Sequence, residues 1–496
     1  IGDDASVFHY VNRGKVSVML DLTQEDDRAR LDALLAGFGE TAIDGSYLYL
    51  HYRTPETEAA AARVHEFAGM QTILKGYFDD ERIMVENMTA NVATRDFRLI
   101  EGTMHPPLGA PAFVVGSGPS LDGSIATIRR HRGKAIIITA GSALQACLHH
   151  GIVPDYHVEK ENSLVTVERL RHIMARNRDR FPDGRFSGIR LFAASTVDPG
   201  VVDLFDEVYL YLRTSLSSTE MFGAGHLAAD GTSPFVANAA LMLTALLGFR
   251  DVYLFGCDCG ARDGARHHSE HTVYYTRAAS RDTGRVDFPH RAPANFGGEA
   301  CTNSFFVWSR QIHEQIIVAA GLNVQNCSDG VRIAGAEPLR PEELKMSGPD
   351  VDRERLGAQL LNQTTWYPAG GYLDGQDVAG AVAGWRAFAK DLRFRLDALD
   401  REAGHIHEFH RGICVFLDAA ASRYGGAAVL AGGTVRALPA LASYWLNRAP
   451  DAASEADQFA WFRGVFRELI DGVLAEGDAL MAALAERGAP AMLQSA

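Results

Sequence analysis

The chain has 496 residues, of which 47% are hydrophobic and 22% charged, and its formal net charge is −14. This length exceeds what one hydrophobic core usually organises, so two to four domains are expected. The acidic charge argues against a nucleic-acid binder, because neutralising phosphates requires clustered Lys and Arg. No uninterrupted apolar stretch approaches the roughly 20 residues of a membrane-spanning helix, so no membrane span is expected. Six cysteines in so long a chain do not indicate a disulfide framework, and we expect buried thiols in a cytoplasmic protein.

Residues 1–85 are predicted to form a small α/β domain. Residues 15–21 and 46–52 have the apolar runs of strands, and residues 24–38 have the apolar spacing of a helix. This segment contains no cluster of reactive side chains, which suits a scaffold or a docking module. A helix from about residue 80 to residue 100 is expected to lead into the next domain.

Residues 86–336 are predicted to form a central domain built on a parallel sheet. Strand and helix patterns alternate with short connections, an order typical of a doubly wound sheet with helices on both faces. The predicted strands are residues 111–116, 134–139, 155–159, 189–194, 207–212, 251–256 and 323–327, and the predicted helices include 142–150, 163–181, 235–247 and 303–320. Ligands of such sheets bind at the carboxyl ends of the strands, so the polar loops that follow the strands are the candidate sites.

The first candidate site is the turn in PAFVVGSGPSLD at residues 111–122. A buried strand breaks into a GSG sequence, and Pro119 is expected to open a helix because proline is favoured at the first helical position. The glycines would let a ligand approach the backbone, and free N–H groups would face an anion at the positive end of the helix. These N–H groups are those of Gly118, Ser120 and Leu121. An ordinary strand-to-helix turn is an equal alternative, since GxGxxG is not completed. Asp122 argues against a bare phosphate site unless its carboxylate turns away to other N–H groups.

Polar residues also follow two other predicted strands. The strand at 155–159 runs into Glu161 and Asn162, whose carboxylate and amide groups suit the hydroxyls of a ribose or another sugar. A solvated strand exit is an equal alternative for these two residues. The strand at 189–194 is followed by Ser195, which would lie at the same edge of the sheet.

An apolar helix is preceded by Gly231-Thr232-Ser233-Pro234. Ser233 before Pro234 predicts an N-cap with proline at the first helical position. The start of a capped helix exposes N–H groups to an anion, and the hydroxyls of Thr232 and Ser233 would add donors. Capping without ligand binding is the alternative.

The last candidate loop begins after the buried strand VYLFGCD and contains the sequence HHSEH at residues 267–271. Asp258 directly follows the strand, a position from which catalytic carboxylates often project. His267 or His268 could share a helix face with His271, and this spacing permits zinc, but no HExxH pattern and no third ligand are evident. A general base needs only one ring, and this interpretation is favoured over a metal site. Exposed loop histidines are the remaining alternative.

Residues 337–496 are predicted to form an all-helical domain. The segment is rich in Ala, Leu, Arg, Asp and Glu and shows helical apolar spacing at residues 382–399, 419–430 and 459–484. No strand pattern is found there.

Several of these stretches resemble the motility accessory factor (Maf) proteins, the flagellin glycosyltransferases of motile bacteria. The stretches that carry the resemblance are VVGSGPSLD at 114–122, residues 140–162, DGTSPFVANAALMLTALLGFRDVYLFGCDCG at 230–260 and TNSFF at 302–306. Residues 232–258 are also similar to bacterial sialyltransferases that use CMP-activated nonulosonic acids. The resemblance covers roughly residues 90–335.

The resemblance implies a Rossmann-like central domain that transfers a nonulosonic acid, such as pseudaminic or legionaminic acid, from its CMP-sugar to Ser or Thr of flagellin. This transfer would serve flagellum assembly and motility. The residues carried over are Gly116, Ser117, Gly118 and Ser120 for the phosphate and ribose, Glu161 and Asn162 near the donor, and Thr232 and Ser233 for the nucleotide. We further expect Asp258 in the catalytic set and His268 or His271 as the base. Because Cys257-Asp258-Cys259 is not a DxD motif, no metal and no cofactor are expected.

Two other functions remain open at this point. The same domain family is similar to archaeal 6-hydroxymethylpterin diphosphokinases, in which an ATP phosphate would occupy the Gly116 turn. Those proteins are shorter, so the additional domains of this chain favour a macromolecular acceptor. A flagellin-binding accessory protein without catalysis is the third possibility.

Overall fold

The computed structural model describes residues 76–446 and 452–487, apart from 223, 263, 265 and 276–285, together with residues 54 and 55. The strands and the helix predicted between residues 15 and 52 lie outside the described residues. The described chain is a mixed α/β structure in which a large, mostly parallel sheet is followed by a helical region, as the sequence predicts.

Ten of the twelve strands in the described residues form one sheet. Its strands are β1 (Phe97–Ile100), β2 (Ala112–Val115), β3 (Ile136–Ala140), β4 (Tyr156–Glu159), β5 (Arg190–Ala194), β6 (Val208–Tyr211), β7 (Asp251–Phe255), β10 (Asn323–Asn326), β11 (Ala336–Pro338) and β12 (Thr365–Tyr367). The remaining two, β8 (His290–Pro293) and β9 (Glu299–Thr302), form an antiparallel pair. The seven strands predicted for the central domain are β2 to β7 and β10, and all seven are confirmed.

The order of the sheet is β11-β10-β7-β2-β3-β4-β5-β6-β1-β12, and every pair is parallel except β1 with β12. The chain therefore adds strands on one side of β2 up to β6, and then returns to the other side of β2 with β7. In parallel sheets this reversal opens a crevice at the carboxyl ends of the two strands, where ligands bind. The crevice lies between the turns after Val115 and Phe255.

The central strands are apolar on both faces because helices cover the sheet on both sides. All four residues of β2 are fully buried. The helices of this part are α1 (Phe78–Thr94), α2 (Leu121–His131), α3 (Ala143–His149), α4 (Leu164–Ala175), α5 (Pro199–Val202), α6 (Ser217–Glu220), α7 (Val236–Leu246), α8 (Ser304–Ala320), α9 (Arg353–Asn362) and α10 (Gly371–Asp374).

Two predictions about elements are wrong. The helix predicted from residue 80 to residue 100 ends at Thr94, and β1 follows it. Phe97 and Leu99 are buried in the sheet core, where parallel pairing with β6 stabilises an extended chain. The C-terminal segment is not all-helical either, because β12 at residues 365–367 pairs antiparallel with β1.

The helical region consists of α11 (Val378–Glu402), α12 (Ile406–Tyr424), α13 (Gly426–Leu446) and α14 (Ala452–Arg487). It has its own core, which includes the fully buried Trp385, Phe388 and Phe466. Residues 426–443 of α13 are long and apolar enough to cross a membrane by composition alone, but 56% of this window is buried inside the fold. All six cysteines lie in the described part of the chain, and none forms a disulfide.

Candidate functional site

The crevice at the carboxyl ends of β2 and β7 is a cavity of about 620 Å³, a size typical of small-molecule sites. Both the turn at 116–118 and two histidines of the HHSEH sequence, His267 and His268, line this cavity. The cavity is lined by glycines of the turn and by polar and aromatic side chains. They include Gly116, Ser117, Gly118, Ser142, Glu161, Arg169, Phe235, Asp258, His268, Tyr274, Phe306, Ser309 and His313.

The turn at 116–118 lines the cavity, but the N–H groups of both of its glycines are already engaged by the protein. The Gly118 N–H donates to the Gly256 carbonyl at 2.8 Å, and the Leu121 N–H donates to the Gly118 carbonyl at 3.1 Å. A Cβ on Gly116 would lie 2.6 Å from the Gly256 oxygen. The glycines are therefore needed for the close approach of the two turns, and the expectation of three free N–H groups is wrong.

Asp258 takes the place that we expected an external anion to occupy. Its Oδ2 accepts hydrogen bonds from the Ser120 N–H at 3.3 Å and from Ser120 Oγ at 3.0 Å, at the start of α2. Only 5% of Asp258 is exposed, and burial raises the pKa of its carboxyl group to about 7. Among the described residues, Oδ1 has no hydrogen-bond donor, so it can take up a proton from a ligand in the cavity.

A chain of side-chain contacts joins Ser142, Ser117 and His268. Ser142 Oγ donates to Ser117 Oγ at 2.8 Å, and Ser117 Oγ lies 3.1 Å from His268 Nδ1. The His268 ring stacks on Tyr274 with centroids 3.9 Å apart. Burial lowers the pKa of His268 to about 3, with a further contribution from His267. His268 is thus neutral at pH 7, with one ring nitrogen carrying a proton and the other free to accept a hydrogen bond.

Asp122 holds the 266–275 loop, which carries the HHSEH sequence, against the turn. Its carboxylate accepts from Ser269 Oγ at 2.5 Å and from the Glu270 N–H at 3.1 Å. The Ser269 N–H also donates to the Ser117 carbonyl at 2.8 Å. The Asp122 carboxylate therefore points away from the cavity and accepts hydrogen bonds from other donors. This is the condition under which an anion site was predicted at the turn.

Arg169, on α4, places a guanidinium group at the cavity. Its Nη2 pairs with both carboxylate oxygens of Glu159, at 3.0 and 3.2 Å, and its Nε is buried without a hydrogen-bond partner in the described part of the chain. The exposed Glu161 lines the same cavity. No sequence signal distinguishes Arg169 from the other basic residues of its helix, and the sequence analysis missed it.

The opposite wall is made by α7 and α8. Asn238 accepts from the Phe235 N–H at 3.1 Å and from Ser309 Oγ at 2.9 Å, and its Nδ2 donates to the Ser309 carbonyl. Beside it, His313 is 1% exposed, and its Nε2 has no partner among the described residues. Burial lowers the pKa of His313 to about 4, so this ring is also neutral at pH 7.

The predicted N-cap at Ser233 is wrong, because α7 begins at Val236 with Phe235 as its N-cap. Asn238, at the third helical position, satisfies the free Phe235 N–H, and Ser233 Oγ instead accepts from Arg213 Nη2 at 3.4 Å. The Lys160 ammonium donates to the Pro234 carbonyl at 2.5 Å.

Several predicted site residues do not line the cavity. Ser195 and Thr232 are buried, and the carbonyls of Asn162 and Ser195 accept hydrogen bonds from Asn87 and Asn91 of α1. Ser120 contacts the cavity only through Asp258. These residues therefore support the site from behind or lie apart from it.

His271 lies in a separate surface depression of about 360 Å³, next to the end of α3. Its ring stacks on His149 with centroids 4.0 Å apart and lies 4.9 Å from the ring of His150. The 266–275 loop thus turns His268 toward the cavity and His271 away from it.

Comparisons with known proteins give two findings. A family model described as MptE-like, for 6-hydroxymethylpterin diphosphokinase MptE-like proteins, matches residues 82–264. The solved structure of a Maf glycosyltransferase from Magnetospirillum magneticum AMB-1 is similar, with a TM-score of 0.73 and 25% sequence identity, over 92% of this chain and 68% of that chain. A comparison with curated proteins gave no match. The resemblance predicted from the sequence is thereby confirmed.

Proposed function

From the premise that this chain is a Maf-like glycosyltransferase in fold, we propose that it transfers a nonulosonic acid from a CMP-sugar to Ser or Thr hydroxyls of flagellin. Pseudaminic, legionaminic and related sialic acids are the donor class. The observation that carries the proposal is the single cavity in which the Gly116 turn, the 266–275 loop and a carboxyl group with a pKa near 7 meet.

We assign the donor phosphate to the side of the cavity formed by Ser117, Ser142 and Arg169. The Gly116 and Gly118 N–H groups are engaged, whereas the Ser117 N–H and the Arg169 Nε have no acceptor among the described residues and are the donors that remain. These groups would stabilise the charge that develops on CMP as it leaves. The Phe235 and Phe306 rings, with centroids 5.1 Å apart, would pack against the nucleoside.

Asp258 is the general base of this proposal, in place of His268 or His271. A base works best when its pKa is near the operating pH, and the pKa of Asp258 is about 7 whereas that of His268 is about 3. The bond from the anomeric carbon to the CMP phosphate breaks with its electron pair leaving on CMP, through an oxocarbenium-like state. The acceptor oxygen then bonds to the anomeric carbon, and its proton passes to Asp258 Oδ1.

His268 is assigned to binding. Its neutral ring offers one donor and one acceptor nitrogen, and its stacking on Tyr274 fixes the orientation of the ring. Asn162, Ser195, Thr232 and Ser233 do not line the cavity, and they are left out of the assignment.

A protein acceptor fits the size of the chain better than a small molecule does. The helical region from α11 to α14 lies outside the sheet and contributes no lining residue to the cavity, and it is the part of the described chain available to hold flagellin. We place the reaction in the cytoplasm, where flagellin is made and CMP-sugars are available.

The test is to mix the purified chain with CMP-pseudaminic or CMP-legionaminic acid and unmodified flagellin. We expect intact-mass analysis to show flagellin gaining one or more nonulosonic acid residues, with CMP released in equal amount. Absence of both products with every donor of the class would refute the proposal. Appearance of the product would also exclude a non-catalytic accessory role.

The match of the MptE-like model to residues 82–264 favours one second candidate, a diphosphokinase-like phosphotransferase. Such an enzyme would bind ATP together with Mg²⁺. A thermal shift assay separates the two functions. Stabilisation by CMP without a metal ion is the expected result, and stabilisation by ATP only in the presence of Mg²⁺ would favour the second candidate.

A further inference from the structure

Three histidines from two distant parts of the sequence meet on the surface beside the cavity. His149 ends α3, His150 follows it, and His271 belongs to the 266–275 loop. Ring nitrogens of the three residues, one from each, lie within 4.8 Å of one another. In the sequence, no third ligand was evident for a site at His271, and the fold brings His149 and His150 next to it at the end of α3.

We propose that His149, His150 and His271 bind a transition-metal ion such as Zn²⁺ through three imidazole nitrogens, and that this ion fastens the 266–275 loop to α3. A tetrahedral zinc site with bonds of 2.0–2.1 Å requires ligand nitrogens about 3.3 Å apart. The rings are exposed or half-buried, so small rotations about their side-chain bonds can bring the nitrogens to this separation.

The backbone on both sides of the site is held in place without the metal. Asp122 accepts two hydrogen bonds from the 266–275 loop, and Ser269 bonds to the Ser117 carbonyl. Within the described residues, none of the three rings forms a hydrogen bond, so their lone pairs are available to an ion. The folded backbone therefore brings the three imidazoles together before any ion binds.

The surrounding charges are mixed. Arg176 and Glu270 both line the depression, so one positive and one negative side chain border the three rings. Imidazole binds a metal ion in its neutral form. Three imidazoles select Zn²⁺, Ni²⁺, Co²⁺ or Cu²⁺ and not Mg²⁺ or Ca²⁺, which prefer oxygen ligands.

The ion would affect the cavity because the loop and α3 both lead to the Ser117 hydroxyl, which lines the cavity. His268, three residues before His271, contacts Ser117, and Ser142, directly before α3, contacts the same hydroxyl. An ion that joins the loop to α3 would therefore hold both sides of this contact. It would be a structural ion, separate from the transfer chemistry.

Calorimetric titration of the metal-free full chain with Zn²⁺ tests the site. We expect one ion per chain, and we expect His149→Gln and His271→Gln each to weaken binding by more than about 100-fold. His405→Gln, an exposed histidine of the helical region, should bind as the parent does. Absence of a saturable one-ion isotherm, or unchanged affinity in both variants, would overturn the proposal. If His271→Gln fails to fold, the exposed His149→Gln decides the question alone.

Hydrogen exchange then tests the fastening. Zn²⁺ should slow exchange of the amides between residues 266 and 275 in the parent but not in His149→Gln, whose substitution lies outside that loop. An ion that binds without changing this exchange would overturn the structural role. Neither measurement needs a sugar donor or flagellin, so both results are independent of the proposed function.

Discussion

At the scale of single residues, the pKa of Asp258 favours this residue as the base of the proposed transfer. Burial raises the pKa of this carboxyl group to about 7, although two hydrogen bonds from Ser120 act to lower the pKa. A base must be deprotonated to work, so the rate should rise with pH until the group is fully ionised. His268, with a pKa of about 3, would give no such rise near neutrality.

The first prediction concerns the pH dependence of transfer. We expect kcat/KM to increase with pH and to level off above about pH 7 in the parent enzyme. Asp258→Asn should lower kcat/KM by about 100-fold or more, and it should abolish this rise. Rates from pH 5.5 to 8.5 check both points, and the thermal shift with CMP should persist because the substitution leaves the phosphate side intact. A variant within tenfold of the parent would assign the base elsewhere.

The same residue predicts a change in stability with pH. The pKa of Asp258 is raised from 3.8 in the unfolded chain to about 7 in the folded protein. The folded state thus binds more protons between these values, and its stability falls as pH rises through that window. Relative to the parent, Asp258→Asn should gain roughly 3 kcal/mol in unfolding free energy between pH 5 and pH 8. Urea unfolding of both proteins at the two pH values measures this gain, and a pH-independent difference would contradict it.

Sequence reasoning located Asp258 from its position after a buried strand, but it did not find Arg169 or His313. Both of those residues sit in the middle of helices with ordinary spacing. They line the cavity because neighbouring strands and helices bury them beside it, and the local sequence does not predict that burial.

At the scale of elements, the two turns after β2 and β7 depend on glycine for their mutual contact. A Cβ on Gly118 would lie 1.9 Å from Asp258 Oδ2, whereas a Cβ on Gly123, on α2, would meet no atom within 4 Å. The two positions are five residues apart and offer a matched pair.

We predict that Gly118→Ala displaces the Asp258 carboxylate, destabilises the protein by about 1–3 kcal/mol and greatly reduces transfer. Gly123→Ala should leave transfer unchanged and should stabilise α2 by about 0.5–1 kcal/mol. Chemical denaturation and the transfer assay on both variants give the comparison. Equal behaviour of the two variants would show that the contact between the turns is unimportant.

Strands such as β2 and β3 could be predicted because their burial on both faces leaves continuous apolar runs bounded by turns. β1 and β12 could not be predicted, because each is short and is held extended by pairing with a neighbouring strand. The candidate site also has a part that could be predicted from the sequence and a part that could not. Local sequence indicated the Gly116 turn and the HHSEH sequence, but their meeting through Asp122 and Ser117 depends on the order of strands in the sheet.

At the scale of the whole molecule, α1 belongs to two cores. Its residues Phe78 and Val85 pack in the core of the helical region, while Met88 and Val92 pack in the core of the sheet. Glu81 of the same helix is buried, and its Oε2 accepts from the N–H and the hydroxyl of Ser217 at 2.8 and 2.6 Å. We infer that the sheet and the helical region unfold as one unit, although the predicted domain boundary at 336/337 separates them along the chain.

The last prediction tests this unity with Val85→Ala, which removes two fully buried methyl groups from α1. We expect a loss of about 2 kcal/mol. If α1 couples the cores, amides that exchange only by global unfolding should exchange about 30-fold faster in β2 to β5 and in α12 to α14 alike. Val415→Ala, an exposed position on α12, should change neither set. Faster exchange confined to the helical region would mean that this region opens independently while the sheet stays folded, and the two cores would then be separate cooperative units.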